Sequence, residues 1–327
     1  MHPPSHHLND KSGAMSDEFL SFLSPYQIDH LQFMQTQESS YRISVDYLFS
    51  PFATVTAADR RVLCSWSYQT IDAISSIKIT REIACIGMSY LDRFMATSSA
   101  RAKVALSSRD EYQLATASCM VIALKNRGGV ILGMDFVADE MCHGLYTIDE
   151  LVDMEMDVLQ ALSWKLNGPS PHEFIDAIVG LLPASSFDGG PDASSLRLLS
   201  KLSKIHVEAA VLEYTLALQS SSNLAYAAIL TSLQTTCVLD GFHHTEFINW
   251  ISTIKSVMAG SRADQIFAKG LADTVQTTWS NYSGNDDDDE DEDNNEDETS
   301  IVMKSMHSSN CIANIHDQVK RRNSVKF

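Results

Sequence analysis

The chain has 327 residues, 44% of them hydrophobic, which is enough for two domains with cores of their own. Its formal charge is −18, but eleven acids lie within residues 286–298, which leaves only −7 for the rest. Nucleic-acid binding needs clustered Lys and Arg, and this mildly acidic body argues against it. The six cysteines lack a metal-binding spacing, and no apolar run is long enough to cross a membrane. We therefore expect no nucleic-acid or membrane partner, no metal and no cofactor.

The first 16 residues differ in composition from the rest of the chain. Residues 1–16 are polar and aperiodic, which predicts a disordered N-terminus, and a helical segment is expected within 17–56. Further along, apolar residues recur at helical spacing, and no stretch alternates for long enough to predict a strand. Helix starts are marked by Ser or Thr with an acid three residues later, a pattern that begins at Thr56, Ser108, Thr147, Ser170 and Ser261.

The predicted helices fall into two sets of five, separated by the turn-forming residues 167–170. The first set defines a domain over 57–167 and the second a domain over 168–282, followed by an acidic, disordered tail over 283–327. We thus predict an all-α protein with two tandem five-helix domains and disordered ends. The predicted helices are 57–75, 80–97, 108–125, 135–143, 147–162, 171–182, 193–218, 223–238, 244–257 and 261–280.

The third predicted helix is apolar or small on every side from Leu114 to Leu124, so other helices should surround it. Lys125 ends this helix in phase with Leu114 and Val121, and its stem should therefore run along buried surface. The fifth helix carries an apolar stripe that should face the core, and Glu155 falls at the centre of that stripe. The stripe residues are Ile148, Leu151, Val152, Val158, Leu159 and Leu162.

An unpaired carboxylate at the position of Glu155 would be costly, so we expect Lys125 and Glu155 to lie together and half-buried. Spacing alone leaves two interpretations open. The pair is either an internal salt bridge that fixes packing, or a contact with spare hydrogen-bonding capacity for a partner. A second pair, Arg60 with Asp92, is expected to be structural, because Asp92 follows a continuous apolar approach.

These residues and their neighbours resemble the cyclin box, and the resemblance is strongest over 57–167. By this resemblance the two domains are cyclin-like, and the sequence from Pro171 to Ile175 is similar to that of D-type cyclins. The matching segments are Arg60-Arg-Val-Leu63-Cys-Ser-Trp66, Tyr90-Leu-Asp92-Arg-Phe94, Gln113-Leu114 through Lys125, Met154-Glu155 and Leu162-Ser-Trp164.

The resemblance implies a non-catalytic regulatory subunit that binds and activates a cyclin-dependent kinase and controls cell-cycle progression at G1/S. Lys125 and Glu155 would bind the kinase segment that leads into its mobile helix. The chain departs from the family at Asn126-Arg-Gly-Gly129, where an aromatic or apolar residue and acids are common. This departure bears on which kinase is bound.

The resemblance also implies a groove that docks kinase substrates between the first and third helices of the box. Family members often carry a hydrophobe where Asp59 stands and an acid where Gln69 stands, and that acid meets a basic residue of the docking peptide. The groove residues implied here are Val62, Leu63, Trp66, Gln69, Tyr112 and Gln113.

The C-terminal tail carries short candidate signals. Ser283 precedes the acidic run and Ser324 follows two arginines, so both are candidate phosphorylation sites. Lys320-Arg-Arg322 resembles a minimal nuclear import signal, and we expect the protein in the nucleus and cytoplasm.

The main alternative function is a cyclin-fold transcription adaptor that binds DNA or the general transcription machinery. An enzyme is disfavoured, because the sequence offers no nucleophile–base pair, metal cluster or cofactor loop.

Overall fold

The structure is a computed structural model that describes residues 25–43, 45–74, 79–181 and 193–234. Regular secondary structure in these residues is entirely helical, which confirms the predicted all-α class. The described helices are α1 Pro25–Glu38, α2 Ala57–Ala73, α3 Glu82–Met95, α4 Ala100–Ser107, α5 Arg109–Asn126, α6 Met134–Phe136, α7 Ile148–Ala161, α8 Pro171–Val179, α9 Ala193–Leu212, α10 Tyr214–Ala217 and α11 Ser221–Gln234. A π-helical turn over Val137–Met141 continues α6.

Several predictions concern residues outside those that the structure describes. They are the N-terminus over 1–16, the helices 244–257 and 261–280, the acidic tail 283–327, and the candidate phosphorylation sites Ser283 and Ser324.

The described residues divide into two compact units. The box unit comprises Ile43–Asn167 and Glu208–Leu218, and it therefore contains α2 to α7, the end of α9 from Glu208, and α10. The flanking unit contains α1, α8 and α11, with the part of α9 that ends at Val207. Within the flanking unit, Glu38 at the end of α1 accepts hydrogen bonds of 2.7 Å from the backbone N–H and the hydroxyl of Ser222. Because these groups open α11, the buried carboxylate caps that helix.

Four of the five predicted cap residues start helices, and the fifth, Ser261, lies outside the described residues. Reciprocal boxes, in which the acid also accepts the backbone N–H of the cap residue, form at Thr56–Asp59, Thr147–Glu150 and Ser170–Glu173. Ser108 accepts from the N–H of Glu111, but the Glu111 carboxylate pairs with Arg101 at 2.9 Å. Helix α5 thus begins where the sequence predicts, with one half of the expected box.

The core of the box unit surrounds α5. Residues 114–124 are all buried, and α5 packs against α3, α4 and α7, which confirms that other helices enclose it. Gly87 on α3 makes the close approach to α5, because a Cβ there would lie 2.6 Å from the Sδ of Met120. This packing holds the start and end of α5 at fixed positions on the unit's surface.

Two glycines, Gly128 and Gly129, follow the end of α5 at Asn126. The N–H of Gly128 bonds the carbonyl of Ala123 at 3.2 Å, and the N–H of Val130 bonds that of Leu124 at 3.1 Å. Gly129 has φ of +62°, a left-handed conformation that other residues adopt at a cost. The Gly128-Gly129 pair is therefore a helix C-cap, and it leaves Lys125 in the last turn of α5.

The structure differs from the predicted helices in two places. Helix α4 was not predicted, because its cap residue Ser99 has Ala102 three residues later and not an acid. The predicted helix over 193–218 is interrupted at Glu213, which is extended with φ of −88° and ψ of 118°. No Gly or Pro marks that break in the sequence.

Candidate protein-binding site

Lys125 and Glu155 form an ion pair between α5 and α7. The Lys125 Nζ donates to both carboxylate oxygens of Glu155, each at 2.8 Å. The lysine side chain is 33% exposed and the glutamate side chain 16%, so water and other molecules can reach both. The two charges neutralise one another at the surface of the box unit.

Apolar side chains lie uncovered on the same side of α7. Ile148, Val152 and Met156 are 44–45% exposed, and the helical period places Glu155 on the side of α7 that carries Ile148 and Val152. The prediction that Ile148 and Val152 face the core is therefore wrong. The core-facing side of α7 is formed instead by Leu151, Met154 and Val158, all at most 1% exposed. We call Ile148, Val152 and Met156 the α7 stripe.

Arg60 and Asp92 form a second ion pair, which is completely buried. The Arg60 Nε and one terminal nitrogen bond the two Asp92 oxygens at 2.8 and 2.7 Å, and the other terminal nitrogen bonds the carbonyl of Val211 at 2.7 Å. The Tyr47 hydroxyl donates to Asp92 at 2.7 Å and lies 3.3 Å from the Tyr112 hydroxyl. Burial, followed by the charge of Asp92, raises the pKa of Tyr47 well above its usual value, so the hydroxyl stays protonated as a donor.

The sequence alone did not reveal three members of this network. The ring hydroxyls of Tyr47 and Tyr112 and the carbonyl of Val211 come from three separate segments of the chain. Tyr47 lies in the D-Y-L segment upstream of α2, where a buried polar ring could have been suspected. A backbone carbonyl such as that of Val211 has no signal in a sequence.

The implied groove residues lie on α2 and α5, which pack against each other in the box unit. Val62, Leu63, Trp66, Gln69 and Gln113 are half-buried, so each presents part of its side chain at the surface. Tyr112 differs, because it is only 1% exposed and its hydroxyl points to that of Tyr47. We call the five half-buried residues the docking face.

A charged pair that was not predicted lies where the docking face begins. The Asp59 carboxylate accepts the N–H and hydroxyl of Thr56 at 2.9 and 2.7 Å, and its other oxygen lies 3.1 Å from the Nε of Arg109. The Asp59 side chain is 10% exposed, whereas that of Arg109 is 60% exposed. The ion pair therefore joins the first turns of α2 and α5 and presents mainly its cation to solvent.

Asn126 follows Lys125 and is bonded on two sides. Its amide nitrogen donates to the Tyr90 hydroxyl at 3.1 Å and to the Asn167 side-chain oxygen at 3.0 Å. The Tyr90 hydroxyl in turn donates to the carbonyl of Leu166 at 2.9 Å. The departure from the family pattern at Asn126 thus connects the end of α5 to the last residues before the flanking unit.

The described residues do not contain a group of three or more His, Cys, Asp or Glu side chains arranged to hold a metal ion. No described helix is both long and apolar enough to cross a membrane. Burial raises the pKa of Cys64 to about 12 and that of Cys142 to about 11, whereas a nucleophilic cysteine requires a lowered pKa.

Residues 29–167 match the model of the cyclin N-terminal domain. The match covers less than half of the chain, and over this segment the protein is similar to the N-terminal domain of cyclins.

Curated relatives share about a quarter of their residues with this chain. It is 25% identical to the G1/S-specific cyclin-D1 of Danio rerio over 209 residues, which are 62% of this chain and 64% of that protein. It is also 25% identical to cyclin-A1-1 of Arabidopsis thaliana over 207 residues, 62% of this chain and 41% of that protein. The chain thus spans less than two thirds of either relative. The X-ray structure of a viral cyclin from herpesvirus saimiri is similar with a TM-score of 0.49 and 18% identity, covering 72% of this chain and 99% of that one.

Proposed function

We propose that this chain is a non-catalytic regulatory subunit that binds and activates a cyclin-dependent serine/threonine kinase through Lys125 and Glu155. The observation that carries this proposal is the placement of a reachable ion pair beside an uncovered apolar stripe. Both features lie on the part of the chain that matches the cyclin N-terminal domain.

The ion pair has hydrogen-bonding capacity to spare. A lysine ammonium carries three donor hydrogens and a carboxylate has about four acceptor positions, and the pair uses only some of them. Backbone carbonyl and N–H groups of a partner could therefore bond Lys125 and Glu155 without breaking the pair. Such charge-assisted bonds are short and about twice as strong as bonds between neutral groups.

An internal salt bridge is the competing interpretation of the same geometry. An ion pair that serves packing alone is best placed where protein groups satisfy it from every side, as Arg60 and Asp92 are satisfied. Lys125 and Glu155 lie beside Ile148, Val152 and Met156, which expose apolar surface with no described residue over it. A partner helix on the α7 stripe would bury that surface and would bring its preceding loop to the ion pair.

Activation needs no catalytic group from this chain. Phosphoryl transfer requires an ion pair inside the kinase between a strand lysine and a glutamate on the kinase's mobile helix. A subunit that binds only the arrangement with that pair formed stabilises it by its difference in affinity for the two arrangements.

The finer parts of the proposal follow from the family. The docking face would hold kinase substrates, the cell-cycle stage would be G1/S, and the protein would work in the nucleus and cytoplasm. Nucleic acid and membrane are not among the proposed partners.

Kinase retention and activation test the proposal directly. The full chain should retain a proline-directed kinase from an extract and raise its activity on a short generic peptide. Lys125→Ala and Glu155→Ala should each weaken kinase binding about 30-fold or more, because removing one partner of a bonded charge pair costs roughly 2–5 kcal/mol.

A matched control comes from the flanking unit. Lys204 and Asp176 form a pair of similar length, 2.7 Å, with the lysine side chain 32% exposed. Lys204→Ala and Asp176→Ala should leave kinase binding unchanged. Full activation by well-folded Lys125→Ala and Glu155→Ala proteins would refute the proposal, as would a failure of the wild-type chain to retain a kinase.

A further inference from the structure

We infer that the docking face selects peptide segments that carry an acidic side chain next to their apolar anchors, and that Arg109 is the residue that selects them. This inference rests on the proposed function and specifies the substrate class for its docking face. The evidence for it is the exposure of Asp59 and Arg109 and the groups to which each is bonded.

Asp59 and Arg109 are the charged residues at the docking face, and they differ in exposure and in bonding. Asp59 precedes Val62 and Leu63 at three- and four-residue helical spacing, and Arg109 precedes Gln113 by four residues on α5. The Asp59 carboxylate is bonded to Thr56 and paired with Arg109, and little of it is exposed. The guanidinium of Arg109 has five N–H donors, and its side chain is 60% exposed. A peptide at this face therefore meets an available cation.

The two acids that follow Arg109 in sequence differ from Asp59 in their positions and partners. Glu111 is paired with Arg101 at 2.9 Å. Asp110 is one position further along α5, which places it about 100° around the helix from Arg109. On the α2 side the face contains the neutral Gln69, and the two carboxylates of that helix, Asp59 and Asp72, are paired with Arg109 and Arg81.

The docking face itself consists of apolar side chains and two glutamine amides. Val62, Leu63 and Trp66 are half-buried and supply the apolar contact, and a half-exposed Trp is a frequent anchor of protein interfaces. A peptide with a large apolar residue on Trp66 and a glutamate within reach of Arg109 would match both features. A lysine at the same place would be repelled by Arg109.

Binding of two synthetic peptides to the full chain, without any kinase, tests the inference. The peptides share Leu and Phe anchors and differ only in one Glu or Lys beside them. We expect the Glu peptide to bind about three- to tenfold more tightly at low salt, because it forms an exposed ion pair with Arg109 where the Lys peptide meets a like charge. The preference should shrink as salt screens the ion pair.

Arg109→Glu should invert the preference, and Lys103→Glu is the matched control. Lys103 is an exposed lysine of α4 outside the docking face, so this equal change in charge should leave the preference intact. Equal or tighter binding of the Lys peptide to the wild-type chain would overturn the inference, as would binding of neither peptide. Kinase activation on a generic peptide is measured separately, and it can succeed when peptide docking fails.

Discussion

The box unit contains two ion pairs of similar length that differ in what surrounds them. Arg60 and Asp92 are buried, and a tyrosine hydroxyl and a backbone carbonyl complete their hydrogen bonding. Lys125 and Glu155 are partly exposed and lie beside the uncovered α7 stripe. Length alone therefore does not distinguish a pair that is sealed in the core from one that solvent can reach, whereas burial and completed bonding do.

Removal of Arg60 should have the largest effect on stability. Arg60→Met leaves the Asp92 carboxylate buried without its counter-ion, and we expect the free energy of unfolding to fall by about 3–5 kcal/mol. Chemical denaturation followed by circular dichroism measures the change. Adding Asp92→Leu should recover part of the loss, because the unpaired charge is then gone. A loss below about 1 kcal/mol for Arg60→Met would show that the buried pair is not structural.

Removal of the Tyr47 hydroxyl should have the next largest effect. Tyr47→Phe deletes the donor at 2.7 Å from Asp92, and hydrogen bonds to charged groups contribute roughly 1.5–3 kcal/mol. The control is Tyr26→Phe in the flanking unit, where the side chain is 77% exposed and the expected change is under about 0.5 kcal/mol. Equal effects of both substitutions would contradict the role assigned to Tyr47.

Removal of Lys125 should change stability little. Lys125→Ala leaves Glu155 where water can reach it, so we expect a loss of about 1 kcal/mol or less in the same denaturation experiment. Lys204→Ala should have a similarly small effect. A loss as large as that of Arg60→Met would indicate that Lys125 and Glu155 serve the fold.

The smallest expected effect is the difference between the two ion pairs in how salt changes their contribution to stability. When ionic strength rises from about 0.1 to about 1 M, the Debye length falls from about 10 to about 3 Å. The stability loss caused by Lys125→Ala should then decrease by some tenths of a kcal/mol, and that caused by Arg60→Met should stay the same. Denaturation curves of both variants at the two salt concentrations, each compared with wild type, give the result. Equal salt sensitivity would contradict the difference in burial.

Much of the fold was predictable because local chemistry and helical period agree in most of the chain. Thr56, Thr147 and Ser170 start helices, and the apolar run before Lys125 is enclosed as its composition predicts. The proximity of Lys125 and Glu155 followed from the cost of leaving either charge unpaired in apolar surroundings. Their contact with a kinase remains a prediction.

The remainder depended on contacts between distant segments. Ile148 and Val152 share the helical period of the core residues of α7, and only the packing shows that they face outwards. Tyr112 turns inward to Tyr47, although the resemblance places it in the groove. Arg109 became a candidate through its distance from Asp59, across two helices that are far apart in sequence.

A charge swap tests the central claim most directly. Lys125→Glu combined with Glu155→Lys keeps an ion pair between α5 and α7 but exchanges the donor and acceptor that a partner would meet. We predict that this protein unfolds within about 1 kcal/mol of wild type and fails to activate the kinase on a generic peptide. Full kinase activation by the swapped protein would mean that Lys125 and Glu155 form only an internal salt bridge.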